Sequence, residues 1–146
     1  MPQYQDACAL LDADHQKVDQ LFMQFQQAND MQKAELARII CEELTVHTQI
    51  EEEIFYPAFA RATGDQQLVQ HSRKEHQEAK DLVAKIEGSG QPDPGLMTQL
   101  QKAVQHHVQE ERTKMFPEAR NAKGMDLTQL VQQLEARKAE LMAHHA

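Results

Sequence analysis

The chain has 146 residues and carries 23 acidic against 15 basic side chains, a formal net charge of −8. This negative balance disfavours nucleic acid and anionic lipid as partners, because basic surfaces bind both. The sequence has no membrane-length apolar run, no signal-like N-terminal segment and too few cysteines, Cys8 and Cys41, for a disulfide scaffold. We therefore expect a single cytoplasmic domain over residues 1–146, with no membrane and no nucleic-acid partner.

Five helices are predicted, because long runs of helix-forming residues are interrupted only at a few groups of glycine, proline and capping residues. The predicted ranges are 5–28, 31–62, 65–87, 95–122 and 126–144. The N-cap residues before the last four of them are Asn29, Asp65, Asp93 and Asp126. Four long helices joined by short loops predict an all-α fold, an antiparallel up-down four-helix bundle. The short extra C-terminal helix is expected to pack outside the bundle or to cover one end.

The first two helices each have an apolar stripe that polar residues interrupt. On the first helix the stripe comprises Cys8, Leu11, His15, Val18 and Phe22. On the second helix it comprises Ile40, Leu44, His47, Glu51, Ile54 and Ala58. This spacing is typical of a helix face that packs in a core, so the polar members are expected to be buried. Pro57 is expected to kink or end the second helix soon afterwards.

The second half of the chain repeats this layout. The stripe of the third helix comprises Val69, Ser72, His76, Ala79 and Val83, and that of the fourth comprises Leu100, Val104, His107, Glu111 and Met115. In each half, an acid–His–Gln segment is followed 31 or 32 residues later by His-x-x-x-Glu, and a proline stands ten residues after that second histidine. The chain is therefore interpreted as two copies of one unit.

The repeated His-x-x-x-Glu segments indicate a metal site. Residues at i and i+4 lie about 40° apart on a helix, so the imidazole and the carboxylate leave the same face. Burying either group without a partner costs on the order of several kcal/mol, and one metal centre satisfies all the groups together. The predicted ligands are His15, His47, Glu51, His76, His107 and Glu111.

This donor set narrows the choice of metal. Imidazole and carboxylate ligands without thiolate suit iron, manganese or zinc. Two carboxylates that face each other from two helices can each bridge two metals, which leaves two histidines for each ion. Six-coordinate iron would then keep open positions for oxide, hydroxide, O₂, peroxide or NO, and open positions favour a reactive site over a structural one.

The pattern resembles the hemerythrin-like, or HHE cation-binding, family, whose hallmark is two His-x-x-x-Glu segments plus two further histidines on a four-helix bundle. The resemblance extends from His15 to Pro117. It implies a non-haem di-iron cofactor, two Fe ions with carboxylate bridges and an oxo or hydroxo bridge, for which Mn or Zn are substitutes. By this implication the four histidines are terminal ligands, and Glu51 and Glu111 are the bridges.

One position departs from the oxygen-carrying members. They have a second histidine one turn before the third-helix ligand, where this chain has Ser72, and His71 is expected to face elsewhere. The resemblance therefore favours a di-iron protein that binds or reacts with O₂, NO or peroxide in redox or iron homeostasis or stress response. An enzyme of this type would be an oxidoreductase acting on peroxide or NO.

Other functions stay open at this point. One alternative is an O₂, NO or iron sensor without turnover, read by a protein partner or through a homodimer. A second alternative is iron storage or delivery, and a third is a structural bundle with a permanent metal. Several polar residues are also open to more than one interpretation. The candidates for orienting imidazoles are Asp14, Asp19 and Glu75. Those expected on the surface are Glu52, Glu53, His106 and Glu110, with contact to a ligand as the alternative for Glu110. Those expected mainly to pack are Cys8 and Tyr56, with redox activity or hydrogen bonding near the site as the alternative for Tyr56.

Overall fold

The computed structural model of the chain describes residues 4–145, with side chains up to residue 144. Seven α-helices and two π-helical turns follow one another within this part of the chain. They are α1 (Ala7–Gln27), α2 (Asp30–Ile50), the turn π1 (Glu51–Phe55), α3 (Tyr56–Thr63), α4 (Gln66–Gly88), α5 (Pro94–Glu110), the turn π2 (Glu111–Met115), α6 (Phe116–Asn121) and α7 (Leu127–His145). Because α2, π1 and α3 are continuous, as are α5, π2 and α6, four long rods form the bundle.

Side-chain caps fix where the rods begin. Asn29 and Gln32 form a reciprocal capping box at the start of α2. Asp65 accepts a hydrogen bond from the Leu68 backbone N–H at the start of α4. At the start of α5, Asp93 accepts from the Leu96 backbone N–H, and Pro94 is the first residue of the helix. The rod containing α3 ends at Gly64, whose φ of 71° is in the left-handed region that favours glycine. The short turns between rods make neighbouring rods antiparallel.

The two π-helical turns begin at the two glutamates of the His-x-x-x-Glu segments. The backbone N–H of Tyr56 donates to the carbonyl of Glu51, five residues earlier, and Phe116 repeats this bond to Glu111. A proline follows each turn, and it supplies no N–H and crowds the carbonyl four residues before it. The wider turn accommodates this proline, so the rods continue through Pro57 and Pro117 rather than ending there.

The extra residue in π1 changes which side of the rod faces the core. Ile54 and Ala58 were predicted on the buried stripe, and both are only partly buried. The buried residues are Phe55, Tyr56 and Phe59, each with about 0% exposure. The prediction was wrong after Glu51 because it assumed 3.6 residues per turn throughout, whereas a π turn shifts the later side chains around the rod.

The buried side chains form two apolar groups with a polar layer between them. One group lies towards the π turns and includes Leu11, Phe55 and Phe59. The other lies towards the opposite end and includes Phe22 and Leu100. Cys8 belongs to the first group, as predicted, and burial raises the pKa of its thiol to about 12. The polar layer is therefore shielded by apolar side chains on both sides.

Helix α7 packs on the outside of the bundle, against α1, α2 and π1. Its fully buried Val131 and Leu134 join the first apolar group. Arg137 donates to Glu53 at 2.8 Å, and Lys138 donates to the buried Asp14. The helix thus contributes both to the core and to the surroundings of the polar layer. Within residues 4–145, no helix is both long enough and apolar enough to cross a membrane.

Candidate metal centre

Six polar side chains from the four rods meet in the buried layer. They are His15, His47, Glu51, His76, His107 and Glu111. The histidines form two pairs. In the first pair, Nε2 of His15 lies 3.1 Å from Nε2 of His47. In the second pair, Nε2 of His76 lies 3.1 Å from Nε2 of His107. The structure therefore brings together all six residues that the sequence predicted as ligands.

Glu51 connects the two pairs. Its Oε1 lies 3.2 Å from Nε2 of His47 and 3.1 Å from Nε2 of His76, so one oxygen faces one histidine of each pair. Its side chain is fully buried, and its Oε2 has no hydrogen-bond partner among the described residues. A buried carboxylate oxygen without a donor is costly unless a cation lies beside it.

Glu111 makes the complementary connection from the fourth rod. Its Oε1 lies 3.0 Å from Nε2 of His15 and 3.5 Å from Nε2 of His107, but neither contact is directed as a hydrogen bond. The potential ligand atoms form two groups, and both groups include Glu51. Within each group, the atoms all lie within 4.8 Å of one another. The groups are His15, His47, Glu51 and Glu111, and Glu51, His76 and His107. Each of these two groups could hold a metal ion.

The outer ring nitrogen of each of the four histidines faces a carboxylate. Three of these contacts join different rods. In two of the three, Nδ1 of His47 donates to Asp14 at 3.1 Å, and Nδ1 of His107 donates to Glu75 at 2.8 Å. Asp14 and Glu75 were candidates for orienting imidazoles, and both contact one. Each orients the histidine of the neighbouring helix, not the one that follows it in sequence.

The other two outer contacts differ from expectation. Nδ1 of His15 donates to Asp12 at 3.2 Å, one turn earlier on the same helix. Nδ1 of His76 donates to Glu52 at 2.8 Å, so the surface role predicted for Glu52 was wrong. Asp19 was also a candidate for orienting an imidazole. It lines an open cleft beside His15 instead, and Asp12 occupies the position at Nδ1.

Asp12 and Glu52 each contact an arginine of the other copy. At each of these two positions, one copy has an acidic residue and the other copy has an arginine. In the first copy, Asp12 stands three residues before the histidine of the acid–His–Gln segment, and Arg73 has this place in the second copy. In the first copy, Glu52 directly follows the glutamate of the His-x-x-x-Glu segment, and an arginine has this place in the second copy. Nε of Arg112 lies 2.6 Å from Asp12, and Nη1 of Arg73 lies 3.7 Å from Glu52. Either position can therefore supply the carboxylate that the histidine requires.

This exchange of acid and arginine between the copies predicts the behaviour of reciprocal variants. Asp12→Arg should lower metal affinity roughly 10- to 100-fold, because His15 loses the acceptor that fixes its ring. Adding Arg112→Glu should restore most of the affinity, because it recreates the arrangement around Glu52. Competition with a chromophoric chelator measures the change, with Asp19→Asn as a control on the same helix. A double variant as weak as the single one would contradict this assignment.

These outer contacts determine what the ring nitrogens present to the layer. A carboxylate only accepts hydrogen bonds, so Nδ1 of each histidine carries a proton and Nε2 directs its lone pair inward. Four lone pairs and two carboxylates then face one another within a few ångströms, with the Tyr56 hydroxyl as a nearby donor. This excess of acceptors fits cations, and imidazole with carboxylate is a donor set for iron, manganese or zinc.

The pKa values show the same imbalance in the absence of metal. Burial alone would lower the pKa of His47, but the charges of Glu51 and Asp14 raise it well above its usual range. Burial likewise opposes protonation of His107, and Glu111 and Glu75 nevertheless raise its pKa to about 10. Without metal, protons therefore take the place of the positive charge that the layer requires.

Tyr56 was expected mainly to pack, and the structure places its hydroxyl among the ligand atoms. The hydroxyl oxygen lies 3.0 Å from Nε2 of His76 and donates to Oε2 of Glu111 at 3.2 Å. Burial, with Glu111 and Glu51 nearby, raises the Tyr56 pKa well above its usual range, so the group keeps its proton. The equivalent residue of the other copy is Phe116, whose ring stacks on His15 with centroids 6.0 Å apart. The sequence signal was this Tyr-to-Phe difference immediately before the two prolines.

A small cavity adjoins the layer on the side away from the π turns. It has a volume of about 30 Å³, and its lining includes the four ligand histidines together with Val18, Leu44 and Ala79. This is about the volume of one water molecule in the liquid. A larger cleft of about 470 Å³ opens to the surface between α1 and α5, and its lining also includes His15. The layer thus has space for a very small ligand.

The comparisons with known proteins agree with this arrangement. The family model described as the hemerythrin HHE cation binding domain matches residues 6–119, which include all six residues of the layer. The chain belongs to this family. Its HHE domain has a fold similar to the crystal structure of a hemerythrin HHE cation binding domain-containing protein from Mycobacterium kansasii, with a TM-score of 0.79 and 21% identity over 95% of this chain and 88% of that one.

A curated relative is more similar in sequence but much longer. The HHE domain is 32% identical over 119 residues to a DNA nickase from a Nostoc species, a match that covers 80% of this chain and 34% of that protein. The chain thus spans about a third of the length of this relative. These comparisons establish a cation-binding family and a helical bundle whose histidines and glutamates are able to hold metal.

Proposed function

We propose that this HHE domain holds two iron ions in the buried layer and that the centre reacts with a small oxidant, of which hydrogen peroxide is the first to test. Glu51 and Glu111 would bridge the irons, and the four histidines would bind one pair to each iron. The observation that carries the proposal is that each glutamate contacts one histidine of each pair. A purely structural single-ion site does not require this connection between two pairs.

When bound, the irons would supply Lewis acidity and two-electron redox chemistry. The chain would supply the rest. The outer carboxylates hold the imidazoles in one tautomer and orientation, which keeps Nε2 available. The apolar groups lie on both sides of the layer, and the cavity of about 30 Å³ beside the four histidines has space for a molecule of a few atoms. These features favour O₂, NO or peroxide over larger substrates.

Tyr56 would assist by donating a proton or a hydrogen bond. Peroxide reduction to water consumes two electrons and two protons, and the Tyr56 hydroxyl is a protonated donor within 3.5 Å of both bridging glutamates. The second copy has Phe116 at this position, so the assistance would come from one side of the centre. This asymmetry distinguishes the two metal positions.

Tyr56→Phe should leave metal binding intact and slow the reaction with peroxide roughly a hundredfold, the size of a lost proton donor. Stopped-flow spectroscopy of the iron-loaded variant measures the rate, and metal analysis confirms loading. The chain has two tyrosines, so Tyr4→Phe is the matched control and should react at the wild-type rate. An unchanged rate in Tyr56→Phe would remove the hydroxyl from the reaction.

The function itself is tested by adding hydrogen peroxide, O₂ and NO separately to iron-loaded protein. We expect repeated consumption of peroxide, in which two molecules give two of water and one of O₂, because the second peroxide supplies the two electrons that the first consumes. An oxygen electrode and a peroxide assay follow the reaction. Zinc-loaded protein is the matched control, because the same donors hold a metal without redox chemistry. One-time binding of NO or O₂ without turnover would favour the sensor alternative. No response to any of the three would contradict the proposal.

The similarity to the Nostoc DNA nickase does not favour a DNA substrate for this chain. The match covers a third of that protein, and a net charge of −8 does not suit a phosphate backbone. A protein partner or a second copy of the chain would be the recipient of any signal in the sensor alternative.

A further inference from the structure

A second set of His-x-x-x-Glu segments lies on the surface beside the buried layer. His71 and Glu75 have this spacing on α4, and His106 and Glu110 have it on α5. The segments use different residues from those of the buried layer, although His106 and Glu110 directly precede His107 and Glu111. On each helix the pair shares a face, for the same reason as the inner pairs.

The two helices bring these four side chains together. Nε2 of His71 lies 2.7 Å from Oε2 of Glu110 and 3.4 Å from Oε2 of Glu75. Nε2 of His106 lies 3.1 Å from Oε1 of Glu110 and 3.3 Å from Oε2 of Glu75. The ligand atoms of His71, Glu75 and Glu110 all lie within 4.8 Å of one another. Each carboxylate therefore contacts both histidines.

We propose that His71, Glu75 and Glu110, with His106 as fourth donor, form an outer site for one divalent transition-metal ion. Two imidazoles and two carboxylates form a four-donor set that suits zinc or cobalt. Metal–donor bonds of about 2.0 Å in a tetrahedron place donors roughly 3.3 Å apart. Oε2 of Glu75 has about this spacing to Nε2 of both histidines, at 3.4 and 3.3 Å. His106 lies outside the group of atoms within 4.8 Å of one another, so its exposed side chain would have to move to complete the set. The side chain of Glu75 is 9% exposed and that of His106 is 68% exposed, so an ion would enter from solvent onto a partly buried carboxylate.

The equivalent place in the first copy supports this assignment. Asp14 and Glu75 are equivalent, since each accepts from Nδ1 of the histidine of the neighbouring helix. The second oxygen of Asp14 accepts from the ammonium of Lys138, a cation that the chain itself supplies through α7. The second oxygen of Glu75 faces the two outer histidines instead. In the first copy, a lysine of the chain thus provides the positive charge at this position. In the second copy, side chains that could bind a metal cation occupy the equivalent position.

The outer site would be connected to the buried layer through Glu75. Its Oε1 accepts from Nδ1 of His107, and its Oε2 is the atom that faces the outer ion. An ion at Oε2 would withdraw electron density from Oε1 and weaken the contact that makes His107 a strong donor. This connection rests on the proposed function, because it requires metal at the buried layer; the outer site itself does not.

The test is titration of iron-loaded protein with Co²⁺, whose visible absorption bands report its coordination. We expect one equivalent to bind beyond the iron, and Glu110→Gln and His71→Ala should each weaken this binding at least about tenfold. Glu78→Gln, which removes one exposed carboxylate from α4, the helix that also carries His71, is the control. This variant should bind Co²⁺ as the wild type does. No additional equivalent, or equal binding in Glu110→Gln, would show that the histidines and glutamates form ion pairs only.

The two proposals fail separately. Loss of inner metal with retained outer Co²⁺ binding would contradict the di-iron centre alone, whereas normal iron content without outer binding would contradict the outer site alone. The connection has its own readout. Zn²⁺ added to iron-loaded protein should shift the iron absorption spectrum, and Glu110→Gln should abolish the shift. An unchanged spectrum with one zinc bound would overturn the connection through Glu75.

Discussion

Glu111→Ala is expected to reduce bound iron from two ions per chain to one or none. Glu111 is about 1% exposed and contacts a histidine of each pair, so its removal takes a ligand from both metal positions. Glu51→Ala should behave in the same way, because it makes the complementary connection.

Metal analysis after gel filtration measures this effect, and circular dichroism shows whether the bundle is folded. Glu110→Gln is the informative control, since it alters the adjacent glutamate, which faces outward towards His71. It should retain both irons. Two irons per chain in folded Glu111→Ala would mean that the buried layer is not a carboxylate-bridged centre.

The metal-free protein should lose stability as the pH rises above neutrality. The pKa of His107 is raised from 6.5 to about 10 in the folded chain. Because the folded chain binds this proton more tightly than the unfolded chain does, protonation of His107 stabilises the fold. The contribution is complete below the unfolded pKa of 6.5 and disappears as the pH approaches 10. His15 and His47 have raised pKa values as well, so the loss should be on the order of a few kcal/mol.

Carboxylates give the opposite dependence at acid pH. The His47 and Lys138 contacts overcome the effect of burial and lower the pKa of Asp14 from 3.8 to about 2. A lowered folded-state pKa stabilises the fold above 3.8, and this contribution is lost as the pH falls towards 2. The metal-free protein should therefore be most stable between about pH 4 and 6.5.

Urea unfolding of metal-free protein at several pH values tests this dependence, since urea does not screen charges. Iron-loaded protein is the control, because metal-bound imidazoles have already released the protons in question. Its stability should not fall between pH 6.5 and 9. A metal-free protein that becomes more stable over that interval would contradict the assignment of raised histidine pKa values.

The sequence predicted those parts of the structure that depend on local periodicity. Leu11, His15, Val18 and Phe22 are all buried on one face of α1, because a regular helix of 3.6 residues per turn brings them together. Asp65 caps its helix as expected from its side chain alone. The six residues were predicted as ligands because the pattern occurs twice, and the structure places them together; the repeat made independent burial of each group an unsatisfactory explanation.

The features that the sequence did not predict depend on how side chains are rotated around a rod after a π turn, or on contacts between rods. The π1 turn moved Phe55 and Tyr56 into the core, and only a structure shows where the helix departs from regular spacing. The partners of the imidazoles also lie across helices, as with Asp14 and His47. Comparison of the two copies would have revealed more, since the exchange of acid and arginine at positions 12 and 73 is visible in the sequence.

The central claim is a di-iron centre, and the most direct test is the iron content of freshly purified protein, measured together with its visible absorption spectrum. The geometry of the buried layer predicts two irons per chain and ligand-to-iron charge-transfer bands in the oxidised state. Binding of a single zinc or of no metal, combined with failure to load iron under anaerobic conditions, would contradict the di-iron centre and the redox function that depends on it.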